Sequence, residues 1–384
     1  MKIAFLTPEY PHELTGTSGG LGTSIRNLAL AMSEQENAVT VLVYGQKEDA
    51  VFNDGVIKVH QVKNVKVKGL SWYLTRKKIE KLIDKLYSSG EIEVLEAADW
   101  TGITSFITPE KCPVLIKLHG SDTYFCHLDN RPVKWWNRFH ERRALKNADG
   151  HIAVSAYTAA MTNKLFGLSL PFQVIPNGID PLNFKSDQIV DNTKPIILYF
   201  GTLIRKKGLL ELPYIFNKVH AEFPEATLQL VGRDASDIIT GNRSTWNMMQ
   251  DLFSSAAREN VLYLGSVPYK EVREKISVAT VCVFPTFAEA LPVTWLEAMA
   301  MGKAVVASNI GWGTEVISDG VEGYLSHPKN HDEYAAKIVE LLSNEILRTQ
   351  IGESAKETVK ERFHIKDIAQ RNIAYYKHVL KIKS

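Results

Sequence analysis

Val283-Phe284-Pro285-Thr286-Phe287-Ala288-Glu289-Ala290-Leu291-Pro292-Val293-Thr294-Trp295-Leu296-Glu297-Ala298-Met299-Ala300-Met301-Gly302-Lys303 reads as a strand, a loop and a helix. The apolar run 281–284 is a buried strand, Pro292 suits the first turn of a helix, and Gly302 suits its C-terminal cap. At about 100° per residue, Glu297 shares a helix face with Val293, Thr294, Ala300 and Met301, so its carboxylate points into a mostly apolar surface. A buried carboxylate requires a partner. Glu289 lies in the loop before the helix, where backbone amides and the positive end of the helix dipole gather around an anion. Spacing alone leaves two readings open: an interior salt bridge with a solvated loop acid, or two acids placed for a ligand.

Outward from this stretch the chain alternates strands and helices. Residues 3–6 form a first buried strand, followed by a long loop over 7–20 and an amphipathic helix over 21–34 with Ile25, Leu28, Ala29 and Met32 inward. A dinucleotide-binding turn needs G-x-G-x-x-G directly after the strand, and Gly19-Gly20-Leu21-Gly22 arrives too late and in the wrong pattern, which argues against an oxidoreductase. Gly19 and Gly20 at a helix start suit close backbone approach to a phosphate, against the plainer reading of a flexible loop and cap. Strands over 92–95 and 114–118 end in Glu96-Ala97-Ala98-Asp99-Trp100 and His119-Gly120-Ser121-Asp122, and open α/β sheets bind ligands at such ends. After a polar run over 185–194, read as an interdomain linker, the alternation restarts at 196–200. Arg205-Lys206-Lys207 then forms a basic turn suited to gripping phosphate.

The chain has 384 residues, a formal net charge of +2 and three cysteines, Cys112, Cys126 and Cys282, without metal spacing. The length predicts two or three domains, the charge argues against a general nucleic-acid binder, and the cysteines point to a reducing cytoplasm. The first residues lack the form of a signal peptide, and no apolar run is long enough to span a membrane, so the protein is expected inside the cell. The segment 63–85 carries Lys63, Lys66, Lys68, Arg76, Lys77, Lys78, Lys81 and Lys85 with Trp72 and Tyr73 among them. It reads as a solvated helix face or as a contact for the inner face of a membrane.

Glu289-x7-Glu297 followed by Ala298-Met299-Ala300 and Gly302 resembles the donor-site motif of retaining glycosyltransferases of family 4. Further similar pieces are His119-Gly120, the run 148–155 ending in Ser155, Val174-Ile175-Pro176-Asn177-Gly178-Ile179-Asp180, and Gly201 to Gly208. The match is dense over 196–325 and patchier over 1–180. Ala290-Leu291-Pro292 stands where the family usually has Gly-Phe-Gly, and Thr202 stands where it has Arg, so Arg205 is expected to supply the missing guanidinium.

The resemblance implies the GT-B fold: two Rossmann-like domains facing across a cleft, with an acceptor domain over 1–187, a nucleotide-sugar domain over 188–363, and a C-terminal helix over 364–384 crossing back. It implies hexose transfer with retained configuration from a nucleotide-sugar, a UDP-sugar first and GDP-mannose second, to a hydroxyl of a glycan or lipid-linked acceptor. Glu289, His119, Arg205 and Lys207 are the expected catalytic residues. Gly19, Gly20, Val267, Ala290, Leu291, Pro292, Val293 and Glu297 are the expected donor contacts. No Asp-x-Asp occurs in the chain, and no metal or other cofactor is expected. Two rivals are a nucleotide-sugar epimerase on the same fold and a catalytically silent sugar-binding partner.

Overall fold

The computed structural model describes residues 1–16, 18–184 and 194–383. The expected linker, apart from Lys194, lies outside the described residues. Contacts divide the chain into two compact units, Met1–Gly178 with Ile365–Ser384, and Ile179–His364.

The first unit is built on β1 (Lys2–Thr7), β2 (Ala38–Gln46), β3 (Ala50–Asp54), β4 (Ile57–Lys63), β5 (Val94–Ala98), β6 (Val114–Leu118), β7 (Gly150–Ala153) and β8 (Gln173–Val174). Their order in the sheet is β3-β4-β2-β1-β5-β6-β7-β8, and only the β3–β4 pair is antiparallel. Parallel strands covered by helices on both faces carry continuous apolar runs, and Ile3, Ala4, Phe5 and Leu6 are buried together. The helix Gly20–Ser33 turns Ile25, Leu28, Ala29 and Met32 inward, as its spacing predicts.

The C-terminal helix Ile365–Lys383 packs into the first unit, where Ile368, Ala369, Ile373, Tyr376 and Val379 join the apolar cluster of Ile25, Leu28 and Met32. Its inner face also covers a buried polar group. Tyr376 donates its hydroxyl to Glu96 at 2.5 Å, and Lys117 lies 3.4 Å from the amide oxygen of Asn372. Burial raises Glu96 and lowers Lys117, and the charge of each partly offsets the shift of the other. The basic segment forms a helix that ends at Ser88 and begins at Ser71. There the Ser71 hydroxyl donates to the Val67 carbonyl and accepts from the Val67 amide, adding a turn that apolar periodicity does not register.

The second unit contains β9 (Ile196–Phe200), β10 (Thr227–Val231), β11 (Val261–Tyr263), β12 (Val281–Phe284), β13 (Ala304–Ser308) and β14 (Tyr324–Ser326). They form one parallel sheet in the order β11-β10-β9-β12-β13-β14. The chain winds from β9 toward β11, then returns and winds from β12 toward β14. The carboxyl ends of β9 and β12 therefore flank a topological switch point, the position where open α/β sheets hold ligands. The first sheet has its own switch point, between β1 and β5. The helix Val293–Ala300 follows β12 with Pro292 as its N-cap. It closes through the Gly302 amide on the Met299 carbonyl at 2.9 Å and the Lys303 amide on the Ala298 carbonyl at 3.1 Å, a Schellman motif with Gly302 at φ +68°.

Candidate active site

Two loops meet at the switch point of the second unit. The turn Arg205–Lys207 follows β9, and residues 285–292 follow β12. The Lys206 carbonyl accepts from the amides of Phe287 at 2.9 Å and Ala288 at 3.3 Å, which fixes one loop against the other. Gly208 permits this approach. It sits at φ +74°, and a Cβ there would collide with the Pro285 carbonyl oxygen. The outcome is a direct ion pair between the Lys207 ammonium and the Glu289 carboxylate, both mostly buried. Burial, aided by the neighbouring Lys206 charge, pushes the Lys207 ammonium down to about 7, and the Glu289 carboxylate acts in the opposite sense.

Arg205 is placed differently from the simple expectation of a guanidinium offered to a ligand. Its Nε and Nη2 each bond Asp237 at 2.8 Å. Asp237 also accepts from the Thr240 amide at 3.0 Å and hydroxyl at 2.6 Å. The Arg205 fork holds Asp237 well below the usual carboxylate range, and Asp237 in turn raises Arg205. Such charged bidentate bonds are the strong ones, so Arg205 is fastened by one edge, with two of its five N–H donors committed to Asp237. Asp237, thirty-two residues further on, carries no pattern that would reveal this pairing in the sequence.

Glu297 is 6% exposed. Its partner is not a cation but the Tyr269 hydroxyl, which donates to Oε1 at 2.6 Å. The interior salt bridge allowed by spacing is thus replaced by a neutral donor. Hydrogen bonds to charged groups contribute about 1.5–3 kcal/mol, less than burial of a carboxylate removes, and burial accordingly raises Glu297 to about 7. Tyr269 opens the helix Tyr269–Val278 two residues after Val267, one of the expected donor contacts. Ala290 and Leu291 are each 5% exposed and Pro292 is buried, so these side chains pack into the second unit. Val293 is half-buried at the helix start.

In the first unit the helix start at Gly19 and Gly20 already faces an anion. The Glu9 carboxylate accepts the Gly22 amide at 2.9 Å and lies against Gly19. His119 follows β6 and donates its amide to Asp99 at 2.9 Å. Gly120, at φ +98°, turns the chain into the helix Asp122–Leu128, whose first amides are held by Glu141. Glu141 accepts from Asp122 at 2.9 Å and from the Thr123 amide at 3.2 Å. Burial raises both Asp99 and Glu141 to about 7, and burial with the nearby Lys117 charge lowers His119 to about 3, so its imidazole is neutral. Sequence reasoning passed over Asp99 and Glu141 as supports; an acid on an inward helix position was the signal for Glu141.

The basic segment divides on folding. Arg76 is buried and donates to the Ile103 carbonyl, while Lys77 and Lys78 pair with Glu80 and Asp49. Lys66, Lys68, Lys81 and Lys85 stay exposed. Trp72 contacts Trp136 at 5.3 Å between ring centres, and this joins the segment to a second helix, Trp135–Asn147. Trp135 is 72% exposed, with Trp136 and Phe139 beside it and Lys134 and Arg138 also at the surface. No helix among the described residues is long and apolar enough to cross a membrane.

Known proteins share this architecture. Residues 18–181 match the profile of glycosyltransferase family 4, and residues 182–358 match that of glycosyl transferases group 1. The alpha-maltose-1-phosphate synthase of Mycolicibacterium smegmatis is 26% identical over 99% of this chain and 100% of its own. The structure of sucrose-phosphate synthase from Thermosynechococcus elongatus superposes with a TM-score of 0.79 at 18% identity, covering all of both chains. A complex of Anabaena HepE with UDP-glucose gives 0.73 at 20% identity, over 98% of this chain and 100% of that one. With both profiles matched in order along one chain and the doubly sheeted architecture shared, this protein is a glycosyltransferase that belongs to the group 1, family 4 enzymes of the GT-B fold.

Proposed function

We propose that the enzyme moves a hexose from a nucleotide-sugar to a hydroxyl of a glycan or lipid-linked acceptor, with retained configuration and without a metal. The observation that carries this is the Lys207–Glu289 pair at the switch point of the second sheet. A buried ammonium beside a carboxylate suits the junction between a diphosphate and a sugar. Lys207 and Nη1 of Arg205 face negative charge, and Glu289 accepts from sugar hydroxyls. As the bond from the anomeric carbon to the diphosphate breaks, charge grows on the leaving oxygen, and a preorganised cation there lowers the barrier by a few kcal/mol, roughly 3. The acceptor oxygen bonds to the anomeric carbon from the same face, and its proton passes to the departing phosphate. Glu297 takes the ribose hydroxyls, and neutral His119 donates to a hydroxyl at the sugar's far edge.

The HepE complex with UDP-glucose supports a UDP-sugar as donor, with GDP-mannose second. The exposed aromatic and basic surface of the first unit supports peripheral contact with a membrane and hence a lipid-linked acceptor. A melting series with UDP, GDP and their sugars tests the donor assignment, because a ligand bound only by the folded chain raises Tm with occupancy. The expected result is a rise with uridine compounds; no rise with any nucleotide would contradict it.

A further inference from the structure

Glu297 offers only half of its carboxylate to the protein. Oε1 is taken by Tyr269, and Oε2 has no hydrogen-bond partner among the described residues. A carboxylate has about four lone-pair sites, so one phenol leaves enough acceptor capacity for two ligand hydroxyls at once. The geometry points to Tyr269 as a positioning residue for the donor: through its bond to Oε1 it aims the Glu297 carboxylate so that Oε2 meets the ribose diol. The inference rests on the ribose role proposed above for Glu297.

Three observations support it. Tyr269 lies two residues after Val267, so one short segment carries an expected donor contact and the partner of Glu297. Its ring is fixed rather than swinging freely. The Arg273 guanidinium, one helical turn on, sits 5.7 Å from the ring centre, and Phe184 packs against the ring in a T-shaped arrangement with ring centres 6.5 Å apart. The residue is nevertheless 45% exposed, so the apolar body of a tyrosine stands in solvent while its hydroxyl reaches inward to the acid.

The electrostatics give the bond a function beyond satisfying a buried group. Burial has already brought Glu297 to about 7, and the Tyr269 bond, followed by the Arg273 charge, holds it from rising further. Tyr269 and Arg273, both on the helix Tyr269–Val278, are the titratable or charged side chains acting on Glu297 among the described residues. Loss of the phenol hydroxyl therefore leaves more Glu297 protonated at neutral pH. A protonated acid accepts more weakly and turns one oxygen into a donor.

Calorimetric titration of the full chain with UDP and GDP at pH 6, 7 and 8.5 tests this, using wild type, Tyr269→Phe, Glu297→Gln and the double variant. Tyr269→Phe should bind the preferred nucleotide on the order of tenfold more weakly at pH 6 and 7, the equivalent of one charged hydrogen bond, and should recover most of that at pH 8.5. Glu297→Gln should bind weakly at every pH, and adding Tyr269→Phe to it should change little. Equal loss at all three pH values, or the same loss in the Gln background, would overturn the inference and leave Tyr269 a packing residue. Glu297→Gln binding like wild type would instead overturn the ribose reading, and this inference with it. Thermal melts of each variant establish that the chain is folded in every case.

Discussion

Lys207 sits where burial and ion pairing pull in opposite directions, and that tension makes its protonation a function of what lies beside it. With its ammonium pushed down to about 7, the charge needed to hold a diphosphate is lost as pH rises. Nucleoside diphosphate affinity should accordingly fall above about pH 7, by up to tenfold per pH unit until the bound-state pKa is passed. Lys207→Met should bind weakly and show no such alkaline limb, which titration of both proteins between pH 7 and 9 checks. At this scale the sequence was only half legible. The run Arg205-Lys206-Lys207 announced a phosphate grip, and the Glu289–Glu297 spacing announced two unusual acids. The partners that decide their behaviour lie far along the chain. Asp237 fastens Arg205, and Tyr269 meets Glu297, because strands β9, β10, β11 and β12 bring their following segments to one edge, and no local periodicity encodes such meetings.

Elements were easier to read than contacts. Buried apolar runs predict the central strands, and Pro292 with Gly302 brackets a helix that ends in a Schellman motif. These signals are local and physically strong. The basic segment 63–85 was less legible, since residue type alone does not say which cations are spent on neighbours. Folding buries Arg76 and pairs Lys77 and Lys78, but it adds Trp135, Trp136 and Phe139 from a helix whose aromatic start drew no attention in the sequence. Amphipathic aromatics with exposed cations fit the interface of an anionic bilayer, where each nearby cation contributes about 1 kcal/mol. Co-sedimentation with vesicles should rise with anionic lipid and fall with salt. The variant Trp135→Ala should reduce recovery severalfold without lowering Tm, since Trp135 is 72% exposed. Equal recovery on neutral and anionic vesicles would leave this surface a solvated face.

For the whole molecule, the resemblance read from motifs and the architecture agree: two sheets, one wholly and one mostly parallel, each with a switch point, and a C-terminal helix that completes the first unit after the chain has passed through the second. The expected site residues are distributed over both units, Arg205, Lys207, Val267, Glu289 and Glu297 in one and Gly19, Gly20 and His119 in the other. Donor identity, acceptor and stereochemistry were not legible in the fold, because the same scaffold serves many transfers and the loops decide among them. Retaining, metal-independent transfer through Lys207 and Glu289 is tested most directly by following UDP-hexose turnover by NMR with the enzyme, excess chelator and a lipid-linked or glycan acceptor pool. The account predicts release of UDP with a product whose anomeric signal keeps the α configuration of the donor, and loss of turnover in Lys207→Met. A β-configured product, dependence on added Mg²⁺, or conversion of the donor to another nucleotide-sugar without acceptor would contradict it.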